Sequence, residues 1–342
     1  MRIVGLDILR SIAILLVLIR HSELENTYVH KFGWLGVDLF FVISGFLVSG
    51  LLFSEYKKTQ QVNIRRFLIR RGLKIYPSFY FFLIVNILIN YFFQDIIPTI
   101  PRLLSELFYV QNYLPYIFTH TWSLAVEEHF YIILAITLFI LWKYSLFSPK
   151  PRYIIYLGIL LLTVYVLRMV LYTAHAPNFS LQHTHLRADG IIIGVLLAYL
   201  FYFTDYCIQL LKYKWILLPI ALVLLIPGFI WHGGDALMIT VGLALVNIGF
   251  GILVLLIIGS HQIRERKPSW RKALGFIGVH SYSIYLWHLT GYYFLLKVFH
   301  YNTYIMTGLY IISSLLVGIF FSLTIEKTFL KMREYSWVKK WY

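Results

Sequence analysis

Apolar residues in this chain fall in long, nearly unbroken runs, not in the spaced stripe of a surface helix or the alternation of a half-buried strand. Ten runs are long enough to cross a bilayer as helices, because about 20 residues rising 1.5 Å each match a hydrocarbon layer of about 30 Å. They cover residues 3–21, 34–53, 75–93, 121–142, 153–172, 186–204, 215–231, 236–259, 275–299 and 304–326. Basic residues alternate between the connections. Those after the second, fourth, sixth and eighth runs, with the C-terminal tail, hold Lys57, Lys58, Arg65, Arg66, Arg70, Arg71, Lys74, Lys143, Lys150, Arg152, Lys212, Lys214, Arg264, Arg266, Lys267, Arg271, Lys272, Lys327, Lys331, Arg333, Lys339 and Lys340. The opposite connections hold little beyond Lys31 and Arg102. Because basic loops stay on the cytoplasmic side, this pattern predicts an all-α, polytopic membrane bundle of about ten transmembrane helices with both termini cytoplasmic. The connection 94–120, with Pro98, Pro101 and Pro115 among aromatics, is expected to lie along the membrane surface. With no Gly/Ser- or Pro-rich linker and no repeat, residues 1–342 read as a single integral membrane domain without an appended soluble domain.

Composition sharpens this reading. Of 342 residues, 60% are hydrophobic and only 13% charged, and the mean hydropathy is +0.75, values that exclude a soluble domain of this length. The net charge of +15 would suit a nucleic-acid partner in a soluble protein. Here it belongs to membrane topology, and no nucleic acid is expected. Cys207 is the only cysteine, which excludes disulfides within the chain and Cys-rich metal sites. The first run has the length of a signal peptide. Asp7 and Arg10 interrupt it, however, and no small-residue cleavage site follows His21, so a retained span is expected.

Ionisable residues inside apolar helices are costly and mark function by default. Arg10 and His21 are eleven residues apart in the first run, so they share a helix face at a separation of about 16 Å. Asp38 begins the second run, paired Glu127 and Glu128 lie in the fourth behind Trp122, and Arg187 and Asp189 enter with the sixth. Four spans therefore bring His, Asp, Glu and Arg to a similar depth in the outer half. On the cytoplasmic side, Arg70, Arg71 and Lys74 recur at helical spacing beside Pro77, as a polyanion pocket requires, since a guanidinium fork grips phosphate through two hydrogen bonds. His183 and His185 have the spacing of metal ligands, but that spacing is generic, and no metal is expected.

Seven motifs recur in a characteristic order: Arg10 and His21 with ten residues between them, GVDLFFVISGFL at 36–47, IRRGLKIYP at 69–77, TWSLAVEEHFY at 121–131, LRADGIIIG at 186–194, SYSIYLWH at 281–288, and an end containing Glu326. Together they resemble membrane acyltransferase family 3, bacterial integral-membrane O-acyltransferases of surface polysaccharides, over nearly the whole chain. The resemblance implies acetyl-CoA or another acyl-CoA as donor, entering from the cytoplasm, and an acceptor hydroxyl on the far side. It implies that Arg10 and His21 are essential, with His21 catalytic. The family's Arg-x-x-Arg element aligns with Arg71-Gly-Leu-Lys74, so charge is kept there while the second guanidinium fork is lost. His129 stands where glutamine is common, and Lys327-Thr328 follow the last glutamate in place of proline. Some relatives carry an SGNH-type hydrolase domain; this chain ends 16 residues past Glu326 and is expected to act alone or with a separate envelope partner.

On this reading Arg70, Arg71 and Lys74 hold the nucleotide phosphates, the pantetheine arm threads past Arg10, and His21 acts as general base for the acceptor hydroxyl. An acyl-histidine intermediate is the variant left open. Asp38, Glu127 or Glu128 would orient the imidazole, while Arg187, Asp189, Trp122 and His288 would contact substrate. The expected partners are acyl-CoA, a glycan or lipid-linked glycan acceptor and the bilayer, with a homodimer left open; the expected location is the inner (plasma) membrane. A secondary transporter or flippase for a glycan intermediate is the alternative. The absence of internal repeats and the cytoplasmic basic pocket argue against it.

Overall fold

Each of the ten apolar runs contains a helix in the computed structural model, which describes the chain except residues 1–2, 23, 25–26, 95, 145, 147–149, 178, 261–268, 299–301, 333–334 and 336–342. The loop basics Arg264, Arg266, Lys267, Arg333, Lys339 and Lys340 lie outside the described residues. In chain order the helices are α1 (Val4–Arg20), α2 (Tyr28–Gly33), α3 (Gly36–Thr59), α4 (Ile64–Gln94), α5 (Ile100–Leu107), α6 (Trp122–Lys143), α7 (Arg152–Thr173), α8 (Thr184–Arg187), α9 (Asp189–Phe203), α10 (Tyr206–Leu211), α11 (Lys214–Leu225), α12 (Pro227–Ile230), α13 (Leu243–Ser260), α14 (Ser269–Val279), α15 (Ser281–Val298), α16 (Thr303–Phe321) and α17 (Lys327–Met332). Wider π-helical turns, Met238–Gly242 and Ser322–Glu326, lead into α13 and α17. Among the described residues there is no strand.

Among the described residues, six helical segments are long and apolar enough to cross a membrane: His30–Thr59, Ile64–Phe93, Thr119–Lys143, Arg152–Thr173, Met238–Gly259 and Thr303–Met332. Two shorter apolar helices, Asp189–Phe203 and Lys214–Ile230, join them, and α1 has 17 residues. The ninth run is not one helix. It breaks at His280 into α14 and α15, because the end of α14 is drawn onto α1: Gly278 lies so close to the Asp7 carbonyl that any Cβ would overlap it.

The first helix lies at the centre, packed against α2, α3, α13, α14, α15 and α16. Its buried face carries Leu6, Leu9, Ala13, Ile14, Val17 and Leu18, and also Asp7 and Ser11. The Ser11 hydroxyl is satisfied by the carbonyls of Asp7 and Leu274. Beside α1, helices α3 and α9 cross at a glycine pair. A Cβ on Gly45 would overlap the Ile191 carbonyl, and one on Gly194 the Val42 carbonyl, so only glycine permits this approach.

The connection 94–120 has structure of its own. Helix α5 buries Ser105 and Glu106 and exposes Ile100, Leu104 and, just beyond it, Phe108. Glu106 accepts from the backbone N–H groups of Ile117 and Phe118, each at 3.1 Å, and from the Thr121 hydroxyl, so one carboxylate closes the segment on itself ahead of α6. Burial pushes its pKa up to about 7, against the lowering effect of those hydrogen bonds.

Candidate active site

A cavity of about 770 Å³ is lined by residues of α1, α3, α4, α6 and α15. Its lining on α3 runs from Val37 to Thr59, a helix rise of about 33 Å. Glu55, Lys58, Arg66 and Arg70 line one end, with Lys74 a turn further along α4; Arg10, Ser44, Arg71 and Glu127 line the middle, and Phe40, Ser123 and Tyr285 the other end. The cations Arg10, Lys58, Arg66, Arg70, Arg71 and Lys74 outnumber the two carboxylates, so the basic end favours a polyanion, while Leu47, Val48 and Leu51 give the shaft an apolar side.

At the middle, Arg71 is held by the paired glutamates. Its guanidinium stands 3.9 Å above the Tyr131 ring, 3.4 Å from Glu127 and 4.0 Å from Glu128. Glu127 also accepts from Ser44 at 3.0 Å and from Tyr131; Glu128 accepts from Tyr76 at 3.1 Å. Arg10 lies in the field of Asp7, Glu326 and Glu127. Glu326, turned inward by the π-helical turn, accepts from Ser283 at 2.9 Å and Ser322 at 2.8 Å.

His21 does not line this cavity. Its ring packs edge-on against His288 at 4.9 Å between centroids, and His288 packs in the same way on His120 at 5.1 Å. Each imidazole donates one N–H to a backbone carbonyl: His21 Nδ1 to Val17 at 2.9 Å, His288 Nδ1 to Tyr285 at 2.6 Å, His120 Nε2 to Leu286 at 3.2 Å. In the neutral form this sets the tautomer and leaves His21 Nε2 with its lone pair. Tyr285, which lines the cavity, contacts two of these rings, 5.7 Å from His288 and 5.8 Å from His120.

The structure therefore divides the expected site residues into three groups. Arg10, Glu127, Arg70, Arg71 and Lys74 share the cavity, with Glu128 behind Arg71. His21 and His288 form the imidazole group. Asp38, Arg187, Asp189 and Trp122 form a third, fully or largely buried group. Asp38 pairs with Arg187 at 2.8 Å, and the Arg187 guanidinium stands 5.4 Å from the Trp34 ring and 5.7 Å from Trp122. The expected contact of Asp38, Glu127 or Glu128 with the imidazole is not formed: a backbone carbonyl orients His21, and the carboxylates are engaged by arginines. Among the described residues no group of three or more His, Cys, Asp or Glu side chains is placed to hold a metal ion.

The sequence model of the acyltransferase domain family matches residues 3–327. The chain belongs to acyltransferase family 3. It is 28% identical to the peptidoglycan O-acetyltransferase OatA of Listeria monocytogenes over 305 residues, covering 83% of this chain and 48% of that protein. It is 30% identical to the O-acetyltransferase OatA of Staphylococcus aureus over 309 residues, covering 83% of this chain and 49% of that protein. The chain thus spans about half the length of these curated relatives. No solved structure matches it.

Several polar residues of this acyltransferase-family chain were not among the expected site residues. Arg168, wholly buried in α7, bonds Asp189 at 2.7 Å and the Leu186 carbonyl at 3.2 Å; its signal is a single arginine inside the run 153–172. Ser44, which reads as a packing residue on a small-residue face, bonds Glu127 in the cavity wall. Tyr131 closes the motif at 121–131 without a role read for it, and Glu106 carries no local signal. On the far side of α6, Tyr113 stacks on His183 at 4.7 Å and on His185 at 5.7 Å, and partial burial holds both imidazoles below their ordinary pKa.

Proposed function

We propose that this chain is a multi-pass O-acetyltransferase of the plasma membrane that moves an acetyl group from acyl-CoA to a hydroxyl of a peptidoglycan-type glycan. The observation that carries the reading is the single cavity joining the basic cluster to Arg10 and ending one side chain short of the imidazole group. The names of the relatives supply the acetyl group and the glycan class.

In this mechanism Arg70, Lys74, Arg66 and Lys58 bind the nucleotide phosphates at the cytoplasmic mouth. The pantetheine arm runs along the apolar shaft past Arg71 and Arg10, with the thioester toward Tyr285. His21 Nε2 takes the proton of the acceptor hydroxyl as its oxygen attacks the thioester carbonyl. The carbon–sulfur bond then breaks, and the thiolate takes the proton from the imidazolium. The Val17 carbonyl, holding Nδ1–H, has the orienting role expected of a carboxylate. Ten spans, cytoplasmic termini and one domain over residues 1–342 are the topology this vectorial transfer needs, and the alternation of loop charge supports it.

The test is release of CoA thiol from acetyl-CoA by purified protein in liposomes, with mass spectrometry of an added glycan. Wild type should release thiol and acetylate the glycan, and His21→Ala should lower transfer by about 10²–10⁴-fold. Glycan movement across the bilayer without acetyl-CoA turnover would instead establish the transporter reading.

A further inference from the structure

We propose that Tyr285 decides between transfer and hydrolysis by closing the acyl end of the donor cavity against the imidazole group. The inference rests on reading that cavity as the thioester site. Tyr285 lines the cavity on one side and contacts His120 and His288 on the other. Its ring also meets Phe40, a second lining residue, edge-on at 6.4 Å. The hydroxyl is doubly engaged. It donates to the His120 carbonyl at 2.6 Å and accepts from Ser123, also at 2.6 Å. Turning the ring aside breaks both bonds, and a buried phenol without partners is costly.

The reason for such a wall is chemical. A thioester beside a neutral imidazole and water hydrolyses by the same steps as transfer: water attacks the carbonyl, His21 takes its proton, the carbon–sulfur bond breaks, and acetate and the thiol leave. Excluding water until the acceptor hydroxyl is seated suppresses that loss. Held in its observed position, Tyr285 stands against His288, on which His21 packs, so productive transfer requires the ring to move and resting hydrolysis is blocked. Tyr285 is thus a positioning and selecting residue; it takes no part in proton transfer.

The experiment measures thiol release from acetyl-CoA without acceptor by the full chain in liposomes, expressed per CoA bound. Tyr285→Ala should raise this rate about tenfold or more, and Tyr285→Phe and Ser123→Ala, which keep the ring and loosen its anchor, should raise it by smaller factors. In His21→Ala the effect of Tyr285→Ala should vanish, which a general loosening of the bundle would not produce. Should Tyr285→Ala fail to assemble, the Phe and Ser123 variants carry the test. Unchanged hydrolysis in the variants that assemble, with wild-type protein binding CoA, overturns the role of Tyr285 alone. Failure of wild-type protein to bind CoA overturns the underlying reading of the cavity.

Discussion

Asp38 and Arg187 lie within the membrane bundle with 0% and 2% of their surface exposed, and each is the other's charge partner. Removing one member leaves the other buried and uncompensated, a loss of about 3–5 kcal/mol. Asp38→Asn should therefore unfold in detergent at a markedly lower temperature, while Asp38→Leu combined with Arg187→Met should recover much of the difference. Arg71 calls for a different expectation from Arg70 and Lys74, although all three line the cavity. Its hydrogen bond to Glu127 and its charge pairing with Glu128 make it part of the wall, so Arg71→Gln should weaken folding as well as binding. Such pairings are not legible in the sequence. The residues were visible as charges in apolar runs, but spacing along a chain carries no information about which helix stands opposite. For that reason the sequence leaves Asp38, Glu127 and Glu128 as alternatives for orienting His21, and in the fold Asp38 pairs with Arg187.

Helices were the most legible level, because run length alone separates a span from a loop. The exceptions have physical causes. The break at His280 comes where α14 packs closely on α1, two residues after Gly278. Gly278→Ala tests this directly. The new methyl meets the Asp7 carbonyl, and overpacking of this kind costs about 1–3 kcal/mol, to be read as a lower unfolding temperature of the purified protein. Helix α5 and its connection offer a pH test. With the Glu106 pKa raised to about 7, the folded chain binds a proton that the unfolded chain has released above its ordinary value near 4.5. The stabilisation is complete below about 4.5 and is lost as pH rises through about 7. Glu106→Gln should flatten the decline in unfolding temperature between pH 5 and pH 8, and unchanged slopes would remove Glu106 as its source.

For the molecule as a whole, the excess of positive charge at one end of the cavity should govern the donor. Affinity for CoA should fall with ionic strength, and Arg70→Gln or Lys74→Gln should each raise the dissociation constant about tenfold, the equivalent of ~1.4 kcal/mol. Titrations at low and high salt check both statements, with dephospho-CoA as a probe carrying fewer charges. The basic mouth was readable from Arg70-Arg71 and Lys74, which a helix brings to one side. The three-imidazole group was not, since His21, His120 and His288 come from segments far apart in the chain.

The central place of α1 has a consequence for biogenesis. Once made, α1 finds its permanent neighbours α14, α15 and α16 only after some 250 further residues, on the order of tens of seconds at ordinary synthesis rates. Through that interval the Asp7 and Ser11 side of the newborn helix has no counterpart to cover it. Its polar groups must be sheltered by the insertion machinery or remain near the lipid headgroups. Final seating of Arg10 and His21 is then among the last events of assembly, so a chain interrupted before Ser269 would lack a formed catalytic centre even though every residue assigned to proton transfer had already been made.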